Sequence, residues 1–153
     1  MEISVDDLTG PEIGAFLTEH IEDMRSVSPP ESKHALDLDS LRAPDITFWS
    51  VTDAGMIVGC GALKRLDGTH AELKSMRTAS AAKRRGIASM LLGHIISEAT
   101  SMGFARLLLE TGSAPFFEPA RKLYIKFGFQ YCAPFSHYIH DPNSVFMEKA
   151  LTS

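Results

Sequence analysis

Residues 83–92, KRRGIASMLL, place Lys83, Arg84 and Arg85 directly before Gly86 and an apolar run that starts at Ile87. Three cations, a glycine and a helix start make a donor set for an anion. The first turn of a helix carries backbone N–H groups with no partner inside the helix. Its dipole favours a negative charge by ~0.3–1 kcal/mol, and by up to about 2 when the site is partly buried. Lysine and arginine add charge-assisted bonds to phosphate oxygens, and a glycine keeps a Cβ from standing between the backbone and a phosphate. The spacing is neither G-x-x-x-x-G-K-[ST] nor G-x-G-x-x-G, so this is neither a Walker A loop nor a dinucleotide turn. A solvated basic loop that merely caps a helix would also read KRRGIA, and the hexapeptide alone leaves both readings open.

The rest of the chain narrows the anion. Its formal net charge is −4, with 15 Lys and Arg against 19 Asp and Glu, which argues against a general nucleic-acid or anionic-membrane surface. The basic cluster is therefore a local site for a small anionic ligand. Cys60 and Cys132 lie far apart and form no C-x-x-C pair, so we expect two free thiols in a reducing cytoplasm, not a disulfide or zinc scaffold. His137, His140 and Asp141 in HYIHD have the chemistry of metal ligands, but their spacing in a loop predicts solvation, and no metal is expected. The N-terminus, MEISVDD, is acidic with no apolar segment behind it, and no apolar run approaches the ~20 residues of a membrane span. With 153 residues and 44% hydrophobic content, one domain over 1–153 is expected.

The elements that must position the basic loop follow from periodicity. A short strand at Ile3 to Val5 precedes TGPE, where Thr9 and Glu12 are spaced as a capping box. Ile13, Phe16, Leu17, His20, Ile21 and Met24 then form one helical stripe, which SVSPPES ends. A single helical turn falls around Ser40 to Arg42. Residues 46–51, 56–66 and 70–78 alternate and are rich in β-branched and aromatic residues, with DAG and DG between them, as in an antiparallel meander. After Gly86, the residues Ile87, Met90, Leu91, Ile95, Ala99 and Met102 predict a helix closed by Gly103. FARLLLET (104–111) reads as a fully buried strand. Ser113 and Pro115 open a helix with Ala120, Leu123, Tyr124 and Phe127 on one face and Gly128 at its end. FQYC and SVFMEKAL supply two last strands. The order is that of an α/β protein with a mixed sheet flanked by helices.

In order and spacing, AELKSMRTASAAKRRGIASMLL, LLLETG and PARKLYIKFGF resemble the GCN5-related N-acetyltransferases, whose hallmark is Q/R-x-x-G-x-G/A followed by a helix. The resemblance covers about residues 46–149. Lys83 stands where the family usually has Gln or Arg, and Ala88 is an accepted alternative to Gly. It implies the acyl-CoA N-acyltransferase fold, a mostly antiparallel mixed sheet whose fourth and fifth strands splay apart. It also implies acetyl-CoA as co-substrate. The pyrophosphate would lie on backbone amides from Lys83, Arg84, Arg85, Gly86, Ile87 and Ala88, with Ser89. The pantetheine arm would bond main-chain groups of Met76, Arg77 and Thr78. Phe117 departs from the Asn or Gln common three residues before the helix alanine, which removes one polar contact to that arm.

Acetyl transfer to an amine needs a neutral nucleophile, and a lysine-like amine with a pKa near ~10.4 costs roughly 4–5 kcal/mol to deprotonate at neutral pH. By resemblance, Glu72, fourteen residues before Gly86, is the general base, a role worth about 10²–10⁴-fold. On a strand it also shares a face with Lys74 and could form an exposed ion pair instead. Glu110 is the competing base. The resemblance gives Tyr124 the part of acid to the departing thiolate, although the same position lies on an apolar stripe and also suits a core aromatic. Cys132 as an acetyl-carrying nucleophile has no neighbouring base in sequence.

The acceptor is expected to be a primary amine on a small molecule or peptide. It would meet His34, the SPPES loop and the loop before the last strand, with Glu31 and Asp141 suited to a cation. Family members dimerise in several ways, which leaves a homodimer open. The rival function is a non-catalytic acyl-CoA sensor or interaction module of the same fold.

Overall fold

The computed structural model describes residues 1–27, 38–79, 86–136 and 138–151, with backbone alone for residues 20–27 and 38–39. Along the chain run β1 (Glu2–Val5), α1 (Pro11–Val27), α2 (Leu38–Leu41), β2 (Ile46–Asp53), β3 (Met56–Arg65), β4 (His70–Thr78) and α3 (Ile87–Ser101). They are followed by β5 (Arg106–Gly112), a 3-10 turn (Pro115–Phe117), α4 (Glu118–Lys126), β6 (Gln130–Cys132) and β7 (Ser144–Ala150). Seven strands form one sheet in the order β1-β2-β3-β4-β5-β7-β6. Every neighbouring pair is antiparallel except β4 with β5. A parallel pair needs a crossover, and α3 supplies it.

The meander forms where the alternation predicts it. Ala54 and Gly55, with φ of 51° and 81°, make the two-residue turn between β2 and β3, the positive-φ geometry that matches strand twist. Each face of the sheet buries its own core. On one side, Leu91, Leu92, Ile95 and Ala99 of α3 pack on Leu73, Leu107, Leu109 and Met147. On the other, Ile13, Phe16 and Leu17 of α1 pack with Leu41, Phe48, Cys60 and Ala62. Glycines set how closely α3 approaches β3: a Cβ on Gly59 would stand 3.0 Å from Ile87 Cγ2, and one on Gly61 2.8 Å from Ile95 Cδ1 and 2.7 Å from Met76 Sδ.

Several local expectations are corrected. Thr9 does not cap α1. Its hydroxyl donates to Asp7 Oδ1 at 2.7 Å, and the helix starts at Pro11, whose fixed φ suits the first position. Ser113 likewise donates to the carbonyl of Pro142 at 2.8 Å, so the 3-10 turn, not a side-chain cap, leads into α4. On α3 the buried arc includes Leu92, whereas Met90 and Met102 are 38% and 42% exposed. Met90 falls outside the arc, and Met102 lies at the C-cap beyond the last turn. The expected side chains of His20, Ile21 and Met24, and the SVSPPES break beyond Val27, lie outside the described residues.

Candidate active site

The sheet opens between its parallel strands. β4 pairs with β5 only from His70 opposite Arg106 to Leu73 opposite Leu109. Beyond that, β4 continues to Thr78 along β3, and β5 continues to Gly112 along β7. The edge of β4 from Lys74 to Thr78 is therefore left without a β5 partner, which is the expected splay. A bulge bends β4 at this point. The register with β3 shifts between Cys60 and Ala62, and Ser75 takes a φ of 57°, a costly conformation for a residue with a Cβ.

Met76, Arg77 and Thr78 line that open edge and are half-buried. The Arg77 side chain turns to α1, where its Nη2 lies 3.0 Å from Glu19 Oε1 and its guanidinium sits 5.3 Å from the Phe16 ring centre. The side chain thus ties α1 to the cleft and leaves the backbone as the part available to a ligand. Next to Thr78, which pairs with Gly59, stands the start of α3, because Ile87 packs over Gly59. Gly86 is the N-cap residue with φ of 78°, and no side chain caps the helix. The first helical bond is from Met90 N–H to Gly86 carbonyl at 3.0 Å, so the amides of Ile87, Ala88 and Ser89 precede it. A Cβ at 86 meets no atom of the described residues, and the φ of itself favours glycine there. Lys83, Arg84 and Arg85 lie outside the described residues.

On the face of β4 opposite α3, Glu72 is almost fully buried at 2% exposure, so the alternative of an exposed ion pair is wrong. Its Oε2 accepts from Lys74 Nζ at 3.0 Å and from the Tyr138 hydroxyl at 2.6 Å, and Lys74 Nζ also donates to the Tyr138 oxygen at 2.8 Å. Glu72 Oε1 is buried with no partner among the described residues. Burial, reinforced by the charge of Glu72, pushes the Tyr138 phenol well above its usual range, so it remains a donor.

Tyr124, on α4, is also buried, with its ring 5.7 Å from that of Phe129. Burial first, then the charge of Glu110, raises its phenol far above the ordinary value. The charge of Glu110 also acts on Tyr138, so this half-buried carboxylate of β5 lies within electrostatic reach of both phenols. α4 is anchored to the end of β5 by Arg121, whose Nη1 donates to the carbonyls of Gly112 at 2.6 Å and Ala114 at 3.0 Å. Phe117 lies so close over Gly112 that a Cβ there would collide with its ring. The residue that departs from the family's polar habit is thus a packing residue.

Burial first, then the Glu148 carboxylate, pushes the Cys132 thiol up to about 11, which disfavours the thiolate, the reactive form. Among the described residues no group of three His, Cys, Asp or Glu side chains is placed to hold a metal, and no helix is long and apolar enough to cross a membrane. Sequence reasoning missed Tyr138, passed over between two histidines, and saw Lys74 only as a surface partner. No spacing rule joins Tyr138 to Glu72 across a separation of 66 positions.

A mixed sheet that opens between parallel β4 and β5, with a helix amino terminus at its mouth, defines the class: this is the GNAT acyl-CoA N-acyltransferase fold. The profile of the Acetyltransferase (GNAT) family matches residues 14–129, and the chain belongs to that family and is an N-acetyltransferase. It is 56% identical over 151 residues to the uncharacterized N-acetyltransferase YsnE of Bacillus subtilis (strain 168), covering 99% of this chain and 100% of that protein. It is 42% identical over 125 residues to the IAA acetyltransferase of Azospirillum brasilense, 80% of each chain. The crystal structure of an aminoglycoside 6'-N-acetyltransferase complexed with coenzyme A shares the fold, with a TM-score of 0.73 at 16% identity over 100% of this chain and 98% of that one.

Proposed function

We propose that the protein transfers the acetyl group of acetyl-CoA to a primary amine by direct attack within a ternary complex. The observation that carries this reading is the splay of β4 from β5 beyond Leu73 and Leu109, with the uncapped start of α3 beside the end of β4. The pyrophosphate binds the loop of Lys83, Arg84 and Arg85 and the amides of Gly86, Ile87, Ala88 and Ser89. The pantetheine arm runs along the main chain of Met76, Arg77 and Thr78. This brings the thioester towards the sheet, between the carboxylates of β4 and β5 and Tyr124.

Glu72 takes a proton from the acceptor ammonium. The freed nitrogen lone pair bonds to the acetyl carbon, the carbon–sulfur bond breaks, Tyr124 protonates the departing thiolate, and the second proton lost from the nitrogen as the amide forms restores the phenol through solvent. Glu110 is the alternative base. A thiolate with a pKa near ~8.5 leaves readily, so Tyr124 assists and does not decide the rate. A buried carboxylate oxygen without a partner costs ~1–3 kcal/mol or more, and a donor from the acceptor or an intervening water relieves that cost at Glu72 Oε1. We place the reaction in the cytoplasm, which suits two free cysteines.

Initial-rate kinetics test this reading. Thiol release is followed with spermidine, tyramine, glucosamine and Nα-acetyl-lysine, and with IAA because a relative is named for it. Direct attack gives double-reciprocal lines that intersect as acetyl-CoA and amine are varied. Parallel lines would indicate a covalent acetyl-enzyme and overturn the mechanism.

A further inference from the structure

The buried triangle at Glu72 links the reaction base to a distant loop. Its three edges are 2.6, 2.8 and 3.0 Å, and Glu72, Lys74 and Tyr138 are each 8% exposed or less. Both donors fall on the same carboxylate oxygen, Oε2. Tyr138 belongs to the connection between β6 and β7, and its ring is held edge-on by Phe135 at 5.2 Å and tilted against Phe146 at 5.6 Å. Phe135 and Phe146 are themselves 5.8 Å apart. The hydroxyl is therefore aimed by three mutually packed rings, one of them on β7. A buried aromatic whose only need was packing would not require a cation and a carboxylate at its hydroxyl.

We propose that Tyr138 and Lys74 are positioning residues that occupy Oε2 of Glu72 and fix the carboxylate, leaving Oε1 as the oxygen that receives the acceptor's proton. The inference rests on Glu72 being the base. In the transfer, one proton moves from the acceptor ammonium to Oε1 as the nitrogen bonds to the acetyl carbon. Tyr138 and Lys74 gain and lose no proton. Oε1 is the buried atom without a partner among the described residues, as a proton-accepting position between turnovers should be. The consequence is mechanical: the connection between β6 and β7 and the base on β4 move as one unit, so a displaced loop displaces the base.

The test compares wild type, Tyr138→Phe, Tyr138→Leu, Glu72→Gln and the double variant Tyr138→Phe with Glu72→Gln, using the amine above that gives the fastest thiol release. Tyr138→Phe keeps the ring packing and removes only the hydroxyl. A misplaced reacting group costs on the order of 10²-fold, so Tyr138→Phe should lower kcat by about that factor with the KM for acetyl-CoA unchanged. The double variant should be no slower than Glu72→Gln alone, since both lesions act through one carboxylate. If the residue only packs, Tyr138→Phe will match wild type while Tyr138→Leu is impaired, and the proposal is overturned. Losses that multiply in the double variant overturn it too. Wild-type kcat in Glu72→Gln, or no thiol release with any amine, would instead bring down the assignment of Glu72 as base, and this role with it.

Discussion

Replacing Lys74 with methionine isolates the energetics of the site. The ammonium is 7% exposed and its partner carboxylate 2%, so the pair is desolvated. Removing one partner of a buried pair strands the other and costs about 3–5 kcal/mol, whereas replacing both with apolar residues is neutral or better. For a chain of this size each kcal/mol moves Tm by ~2–4 °C, so Lys74→Met should lower it by about 6–20 °C. The double replacement Glu72→Met with Lys74→Met should recover most of that loss, less ~1–3 kcal/mol for the Tyr138 hydroxyl left without either partner. Calorimetric or circular-dichroism melting of the four proteins gives the cycle. If the double replacement loses the sum of the two single losses, the residues are not coupled and the buried pair is not what holds Glu72.

Three further outcomes follow from the geometry. Gly86→Glu should abolish acetyl-CoA binding, since it puts a side chain at φ of 78° and a carboxylate at an anion site; Gly86→Asn, which tolerates that φ, should retain measurable binding in the same titration. Tyr124→Phe should lower kcat by about 10-fold or less with a thioester leaving group while keeping acetyl-CoA affinity, and an unchanged kcat would reduce Tyr124 to a packing residue. Asp67 accepts hydrogen bonds from Thr69 and His70, which bring its carboxyl down to about 2. Its contribution to stability is thus present above the ordinary carboxylate range and lost as pH falls towards that value. Carboxyl NMR should show it titrating below the ordinary aspartate range, and titration within that range would contradict the hydrogen-bonded turn.

Local pattern carried the strands and α3, because period 2 and period 3.6 report which side of an element faces a core. Met90 was misplaced because it lies just beyond the buried arc, a boundary that the packing of α3 on Gly59 and Gly61 sets. Thr9 and Ser113 have the right chemistry for caps, but Asp7 and the Pro142 carbonyl competed for their hydroxyls. Glu72 was recognisable as a candidate base only through resemblance. Its carboxylate meets Tyr138, whose ring packs with Phe135 and Phe146, and that contact exists only in the tertiary structure. Glu110 likewise reads as a strand terminus in the chain and becomes a neighbour of two phenols only when β5 is set between β4 and β7.

The most direct measurement is calorimetric titration of the protein with acetyl-CoA and with CoA at low and high salt. Binding of micromolar order is expected for both, weakened by salt because phosphate contacts to Lys83, Arg84 and Arg85 are screened. Absence of binding by either ligand would contradict it, leaving KRRGIA as a basic helix cap and the cleft between β4 and β5 without its proposed substrate.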